Sequence, residues 1–441
     1  IIYIINIYIM NSGEFQYINV IPSNQPANGE ISFRDGNPMI NFVIGSQERY
    51  LVGSSVKLTG NIQFYTNANT TPPTNLDNAD PVAIDPVLGV YSILEQLTLS
   101  SKRTNQTIEQ IRDYNRFLAS FRKAYSDNDT LETCDSLTAC TSMTINQSRN
   151  LLTDKPTHSK PFCVNLPSGF LMSGRGGNVP LSDTWGVGGL LIQLNLAPES
   201  NVLFPYDGLA LEGDEKGYYV ITNCRLNATL QTPTQNDLQN AKSQSMMEYN
   251  SISSYYQVLN SSLATINFNL GLSNVLAVFT NFVKSADINS YSHGLATNGI
   301  QGDDSQNVNI TRLEWLKNNM LYPNQFEIQD NNNLKFYDAQ IIRQFLNSID
   351  DYSNIKSQQI YNPQNLQKNY NNIAYGDFAG YAFGLGQRYD LLSEQGVDFS
   401  TEQIGIIVES DMTTATPNSV YLFVISRQTV EFGVNGIVVN K

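Results

Sequence analysis

Few side chains in this sequence have the types and the spacing that catalysis requires. The two histidines, His158 and His293, lie far apart in polar segments, where an exposed loop histidine is more common than a ligand or a general base. No GxSxG, HExxH or phosphate-binding glycine motif occurs, and Gly384–Leu385–Gly386 lacks the third glycine of a dinucleotide-binding turn. The sequence therefore predicts no catalytic residue and no enzyme activity.

Adjacent carboxylates are the candidates for a cation site. Three such pairs occur, namely Asp214–Glu215, Asp303–Asp304 and Asp350–Asp351. None has the alternating spacing of a calcium-binding loop, so we interpret them as solvated loop charge. The sequence therefore predicts no metal site and no cofactor.

The cysteines do not form a recognisable framework. The chain has four of them, Cys134, Cys140, Cys163 and Cys224. There is no CxxC pair, and the number is too small for a disulfide scaffold. Cys134 and Cys140 could bridge across a loop, but free thiols in a reducing compartment are the simpler expectation.

Two further features concern carbohydrate. The aromatic segment Tyr352–Tyr389 could stack on sugars, although tyrosine and phenylalanine are also enriched at subunit contacts, which we favour. Asn69, Asn227 and Asn309 each begin an Asn-x-Thr sequon. A chain rich in Asn, Ser and Thr produces such triplets by chance, and Asn227 lies within a predicted strand.

Length and charge narrow the classes of protein further. A chain of 441 residues exceeds what one hydrophobic core usually serves, which predicts two domains. The formal net charge of −14 and the absence of a basic cluster argue against direct binding to nucleic acid. The opening IIYIINIYIM lacks a basic region and is too short to span a membrane, and no other apolar run is long enough. These first residues are either leader sequence before Met10 or an edge strand.

The stretch Tyr218–Gln231 (YYVITNCRLNATLQ) carries the clearest strand pattern in the chain. Apolar and polar side chains alternate along it, as a half-buried antiparallel strand requires. The predicted inward face is Val220, Cys224, Leu226, Ala228 and Leu230, and the predicted outward face is Asn223, Arg225, Asn227, Thr229 and Gln231. The polar segment Thr232–Asn250 follows, which we predict to be a linker or surface loop dividing the chain.

Strand patterns recur on both sides of this segment. The further predicted strands are Met39–Ile44, Ser55–Tyr65, Phe162–Phe170, Gly189–Leu196, Ser262–Leu270, Val275–Val283, Ile310–Leu316, Ile404–Val408, Val420–Ser426 and Thr429–Val439. The nearly continuous apolar run Val275–Val283 is typical of a strand covered on both faces. Apolar residues every three or four positions predict amphipathic helices at Thr107–Tyr125 and Asp338–Ile349.

Each half therefore has the same order of strands, long loop, amphipathic helix, further loop and strands. This repetition predicts an all-β fold of two tandem jelly-roll β-sandwiches with a few short inserted helices. The predicted boundaries are an N-terminal arm over 1–30, a first jelly roll over 31–231, a linker over 232–252 and a second jelly roll over 253–441.

Several sequence segments, in this order along the chain, resemble segments of the double jelly-roll major capsid proteins of polinton-like viruses, virophages and related DNA viruses. They are SSVKLTGNIQFY at 54–65, TIEQIRDYNRFLASF at 107–121, NVPLSDTWGVGGLLIQLNLAP at 178–198, YYVITNCRLNAT at 218–229, VLAVFTNFV at 275–283, the Tyr-Pro turn at 322–323 and DAQIIRQFLNSI at 338–349. The resemblance covers most of the chain from about residue 30 onward.

The resemblance implies a structural protein of the virion, assembled inside the infected host cell. It implies a homotrimer whose six jelly rolls form a pseudo-hexameric capsomer of an icosahedral shell, with neighbouring capsomers and penton and minor capsid proteins as partners. A carbohydrate-binding adhesin or spike built from two β-sandwiches is the alternative that we keep. A hydrolase on such a scaffold is disfavoured by the shortage of histidine and carboxylate motifs.

Overall fold

The computed structural model describes most of the β-sheet framework of the chain. The described residues are 14–34, 36, 38–67, 73–75, 82–84, 88–118, 159–173, 178–205, 211, 213, 216–243, 245–291, 310–322, 386–389, 396–410, 418–433 and 436–441.

The twelve described strands of the first half form two main antiparallel sheets and one two-stranded ribbon. They are β1 (Phe15–Val20), β2 (Glu30–Ile31), β3 (Met39–Ile44), β4 (Tyr50–Tyr65), β5 (Val82–Ile84), β6 (Leu94–Ser101), β7 (Thr107–Ile111), β8 (Ser159–Asn165), β9 (Asn178–Pro180), β10 (Leu190–Leu196), β11 (Leu203–Pro205) and β12 (Tyr218–Gln231). Sheet I has the order β1-β12-β4-β8, with β2 beside β12 and β9 beside β4. Sheet II has the order β3-β10-β6-β7, and β5 pairs with β11 in a separate ribbon.

Ten strands of the second half repeat this plan. They are β13 (Met246–Leu259), β14 (Leu263–Asn269), β15 (Leu272–Lys284), β16 (Ile310–Lys317), β17 (Met320–Leu321), β18 (Gly386–Arg388), β19 (Val397–Phe399), β20 (Gln403–Ser410), β21 (Asn418–Gly433) and β22 (Gly436–Asn440). Sheet III has the order β13-β21-β15-β18, with β19 beside β15 and β22 beside β21, and sheet IV has the order β14-β20-β16-β17. From β13 to β16 the chain alternates between sheets III and IV. The two pairs of sheets are the two tandem jelly-roll sandwiches that the sequence predicts.

Helices are few and short among the described residues. They are α1 (Gly169–Ser173), α2 (Glu199–Val202), α3 (Gln235–Ser243) and the 3-10 helices Gly89–Ile93 and Ser285–Asp287. Residues 114–118 are also helical.

Local alternation predicts about half of these strands, and β1, β6 and β13 are among those that it does not predict. In β10, Leu190, Ile192, Leu194 and Leu196 are buried and the residues between them are half-buried. The predicted strands at Met39–Ile44, Ser262–Leu270 and Ile310–Leu316 correspond to β3, β14 and β16. Period-two alternation needs no information from distant residues, because one face of each strand meets the core and the other does not.

Strand β12 is present with the predicted bounds, but its inward face changes at Asn223. Asn223 has φ +52°, and the pairing with β4 shifts between Thr222 and Arg225. This β-bulge reverses the alternation. Tyr219 and Ile221 therefore belong to the core before the bulge, whereas Val220, predicted to face inward, lies outside that cluster.

The predicted helix Thr107–Tyr125 is wrong over its first turn and a half. Thr107–Ile111 is strand β7, which pairs with β6, and helical conformation begins only at Tyr114. Asp113 has φ +52°, which a continuous right-handed helix does not permit. Ile108 and Ile111, whose spacing suggested one face of a helix, are instead buried residues of an edge strand.

The predicted loop Thr232–Asn250 contains α3 and the start of β13. The hydroxyl of Thr234 accepts from the backbone N–H of Asp237 at 3.2 Å, and the Asp237 carboxylate accepts from the Thr234 N–H at 3.2 Å. A Thr-x-x-Asp sequence that can form this reciprocal cap is a signal for a helix start. The polar composition of the segment led to the prediction of a loop instead. Ala241 of α3 is buried against Tyr50 and Trp185.

Two other predictions change at their boundaries. The region Phe162–Phe170 is strand β8 over Ser159–Asn165, and α1 then begins at Gly169. Val420–Ser426 and part of Thr429–Val439 are one strand, β21, which pairs without interruption with β13. Its buried Gln428 donates to the Ser426 hydroxyl at 3.2 Å and is thereby satisfied inside the sheet.

The bulge at Asn223 makes a specific stability prediction. Asn223→Val should lower the free energy of unfolding by about 1–2 kcal/mol, because a β-branched residue is strained at positive φ. Asn223→Gly should be tolerated, because glycine adopts this conformation freely. Asn223 is exposed, so lost packing does not complicate the comparison. Urea unfolding of both variants tests this, and equal stability of the two would contradict the bulge.

Candidate functional site: the joint between the two jelly rolls

The two jelly rolls share one continuous hydrophobic core. The cluster that fills the first roll also contains Leu276, Phe279, Phe423 and Ile425 of sheet III. The opposite face of sheet III packs on sheet IV through a second cluster that includes Val275, Val278, Leu422 and Val424. Sheet III is therefore covered on both faces, as the run Val275–Val283 predicts. We call this contact the joint; it consists of β7, residues 114–118 and α1 from the first roll and β13, β15 and β21 from the second.

Three phenylalanines lie at the centre of the joint. The ring centroids of Phe117 and Phe279 are 6.2 Å apart, those of Phe117 and Phe423 are 5.8 Å apart, and those of Phe279 and Phe423 are 5.2 Å apart. Such offset and tilted ring pairs contribute about 0.5–1.5 kcal/mol each beyond the area they bury. Phe117 comes from the first roll and the other two from the second. Contacts among the three rings therefore hold the two rolls together directly.

A buried carboxylate, Glu109 of β7, connects three segments at the joint. Its Oε1 accepts hydrogen bonds from the backbone N–H of Gly169 at 3.2 Å and of Ile252 at 2.8 Å, and its Oε2 accepts from the N–H of Phe170 at 3.0 Å. Gly169 and Phe170 are the first residues of α1, whose opening N–H groups lack partners within the helix. Ile252 lies on β13 of the second roll. One side chain thus satisfies donors of both rolls.

The environment of Glu109 opposes its ionisation. Burial raises the pKa of the Glu109 carboxyl, and the hydrogen bonds from Phe170, Ile252, Ser168 and Gly169 lower it by less. A carboxylate without a counter-ion in an apolar site is stabilised only through such donors. The joint therefore depends on their geometry.

Gly169 allows the close approach that Glu109 requires. A Cβ at this position would lie 1.7 Å from the carbonyl oxygen of Asn250 and 2.8 Å from Oε1 of Glu109. Real Cβ atoms do not approach other heavy atoms so closely. Only glycine lets the start of α1 lie directly against β13.

Further polar contacts fix the orientation of the rolls. The hydroxyl of Tyr249 on β13 donates to the carbonyl of Ile108 on β7 at 2.7 Å, and the Arg112 N–H donates to the Ser254 hydroxyl at 3.0 Å. The guanidinium carbon of buried Arg116 lies 4.8 Å from the ring centroid of Tyr421, which is a cation–π distance. Contacts of this kind require one register of β7 against β13.

Most residues weighed for chemistry in the sequence lie outside the described residues. These are His158, His293, the three carboxylate pairs, Cys134, Cys140, Asn69, Asn309, Pro323 of the Tyr-Pro turn, the helix predicted over 338–349, and most of Tyr352–Tyr389. Within the described ranges, no three His, Cys, Asp or Glu side chains gather as a metal site needs. In the same part of the chain, no helix combines the length and apolar character needed to cross a membrane.

The candidate residues that lie within the described ranges have structural contacts. Cys163 and Cys224 are not joined in a disulfide, and burial raises the pKa of Cys224 to about 12, which keeps this thiol protonated and unreactive. Tyr389, from the aromatic segment considered for carbohydrate, is fully buried and stacks with Tyr322 at 5.8 Å. Asn227 donates its amide to the Thr59 hydroxyl at 3.0 Å within sheet I.

Sequence reasoning missed Glu109. A charged residue inside the apolar pattern of TIEQI is a signal for a buried polar contact when the segment is a strand. In the predicted helix, Glu109 lies on the polar face that would be exposed to solvent. Because the segment is predicted as a helix, its sequence offers no reason to expect a buried role for Glu109.

Replacement of Glu109 should produce a pH-dependent loss of stability. Glu109→Gln places an amide N–H among backbone donors and should cost about 1–3 kcal/mol of unfolding free energy. The folded-state pKa of Glu109 is raised, so its titration adds stability at low pH that is lost as pH rises through that pKa. The advantage of the wild type over Glu109→Gln should therefore shrink as pH increases.

Urea unfolding at a series of pH values measures this difference. The matched control is Glu248→Gln, an exposed carboxyl on β13. A wild-type advantage that grows with pH, or a variant that behaves like the control, would show that Glu109 does not act in this way.

The close contact at Gly169 gives a second test of the joint. Gly169→Ala should lower the free energy of unfolding by about 3 kcal/mol or more, because the methyl group must push α1 away from β13. Gly45→Ala is the matched control, since a Cβ there meets nothing within 4 Å. Thermal and urea unfolding compare the two variants. Similar stabilities would contradict the close contact of Gly169 with β13.

Comparisons with known proteins support this architecture. No protein-family model matches the sequence, and a search of curated proteins finds no relative. The structure resembles the Faustovirus major capsid protein, with 9% sequence identity, a TM-score of 0.58 and coverage of 98% of this chain and 93% of that one. It resembles a chain of the Sputnik virophage structure, with 11% identity, a TM-score of 0.56 and coverage of 98% and 89%.

A chain of the PBCV-1 virus capsid is similar as well. It has 12% identity and a TM-score of 0.50, and the match covers 97% of each chain. Each match spans nearly the whole of both chains, so the likeness includes both sandwiches and their arrangement. At this level of identity the likeness concerns the fold. The chain has the double jelly-roll fold that it shares with these viral capsid chains.

Proposed function

We propose that this chain is a structural major capsid protein that trimerises into pseudo-hexameric capsomers of an icosahedral DNA-virus shell. The observation that carries the proposal is the match to the Faustovirus major capsid protein over 98% of this chain. The proposed location is the virion, with assembly inside the infected host cell. The proposed partners are further copies of the chain, neighbouring capsomers, and penton and minor capsid proteins.

The joint supports this proposal physically. A shell tile must keep its outline, because contacts repeated around symmetry axes tolerate little variation in angle. Two rolls that share a core cannot rotate freely against each other, since packed cores are not continuously deformable. Three such two-roll blocks would present six similar sandwiches around one axis.

The proposed role is assembly rather than catalysis or genome binding. The formal net charge of −14 opposes direct contact with phosphates. Neither a catalytic residue, a metal nor another cofactor is part of the proposal. The carbohydrate-binding adhesin is less favoured, because the one tyrosine of the aromatic segment within the described ranges, Tyr389, is buried.

The domain division that we propose follows the strand pairing. The first roll would extend to Gln231 and the second would begin at Met246, with α3 between them. This second boundary lies earlier than the end of the predicted linker over 232–252. The segment over 1–30 would act as an arm whose strand β1 pairs with β12.

The oligomeric state tests the proposed function. We expect purified full-length chain to have three times the mass of the monomer in size-exclusion chromatography with light scattering. Negative-stain images should show flat particles with a hexagonal outline. A chain that stays monomeric at high concentration, or a trimer with an elongated fibrous outline, would contradict the capsomer proposal and favour the adhesin.

A further inference from the structure

The outer face of sheet I contains a groove that originates in an irregularity of β4. Asn227 of β12 pairs with Lys57, but Thr229 pairs with Val52, so residues 53–56 of β4 lie opposite the single residue Ala228. Such an insertion bends one strand out of the ladder. The Ser55 hydroxyl fixes the bend, since it donates to the Val52 carbonyl at 2.6 Å and accepts from the Thr229 N–H at 2.8 Å.

The groove has a volume of about 430 Å³ and is lined by three strands. Its lining is Tyr17, Ile18 and Asn19 of β1, Ser54, Ser55 and Lys57 of β4, and Asn227, Ala228 and Thr229 of β12. Tyr17 pairs with Thr229 and Asn19 with Asn227, which places these side chains on the same outward face. The volume lies within the range of about 300–1,000 Å³ for small-molecule sites.

Several polar groups in the groove are not used by the fold. Lys57 makes no ion pair, and the side chains of Asn19 and Ser54 make no hydrogen bond, with any part of the chain that the structure describes. Tyr17 is 85% exposed, although it lies on a sheet. A flat aromatic ring therefore lies beside an amide, a hydroxyl and a free ammonium group.

We propose that this groove binds an acidic saccharide, with the ring of Tyr17 against a sugar face and Lys57 opposite its carboxylate. The exposed ring offers an apolar surface to the C–H groups of a sugar, while Asn19 and Ser54 supply hydrogen bonds to hydroxyls. Lys57 is the one charged side chain of the lining, which selects an anionic ligand over a neutral one. The site is independent of the shell-forming role proposed above.

Other ligand classes fit the groove less well. A nucleic acid needs several cations along a backbone, and only one is present in the lining. A protein partner is usually anchored by a large side chain in a desolvated apolar pocket, whereas this groove is lined mainly by hydroxyl and amide groups. A wholly apolar ligand would leave those groups unpaired.

Calorimetric titration of the full-length chain with trigalacturonic acid, and with the neutral galactotriose as reference, tests the proposal. We expect the acidic trisaccharide to bind more tightly, with a dissociation constant of about 1 mM or below. Lys57→Gln should weaken its binding by about tenfold and leave the neutral trisaccharide unchanged. Tyr17→Ala should weaken both, whereas Tyr17→Phe should retain both.

Lys242→Gln, an exposed lysine on α3, is the matched control and should not alter binding. Melting temperatures equal to that of the wild type confirm that the variants fold. The proposal is overturned if the wild type fails to bind trigalacturonic acid at about 10 mM, as it would if a second copy covered the groove. It is also overturned if the neutral sugar binds equally well, or if Lys57→Gln has no effect.

Discussion

The structure depends on the burial of both faces of sheet III. Leu276, Phe279, Phe423 and Ile425 would be exposed on an isolated second roll, and each such side chain contributes about 1.5–3 kcal/mol when buried. The second roll therefore needs the first roll as a partner for its inner sheet. The joint is a continuation of the core, so the two sandwiches are packed as one block.

Apolar burial alone does not determine how the rolls are aligned, since phenylalanine rings tolerate small shifts. Glu109 imposes a stricter condition because its two oxygens meet three backbone N–H groups from α1 and β13. A shift by one residue would leave a buried carboxyl and several amide groups without partners, at a cost of about 1–3 kcal/mol each. Hydrophobic packing thus supplies the stability of the joint, and the buried carboxyl selects its register.

The parts of the fold that could be predicted from sequence are those determined by local pattern. Leu190–Leu196 alternates because one sheet face meets one core, and the neighbouring residues suffice to show it. The joint could not be predicted in this way, since Glu109 and Ile252 are 143 residues apart and nothing near either residue identifies the other. The bulge at Asn223 and the strand β7 were missed for a related reason, because pairing with distant strands overrides the local periodicity.

The joint and the groove use separate parts of the first roll. The joint is built from β7, residues 114–118 and α1, whereas the groove is built from β1, β4 and β12; the two meet only through the core, to which Ala228 of the groove belongs, and through the contact of α1 with β4. A substitution of an exposed groove side chain such as Tyr17 or Lys57 should therefore leave the alignment of the rolls unchanged. The exposed side chains of the groove can therefore change without a change in the core side chains that set the shape of the sandwich, since most of those point to the other face of the same strands.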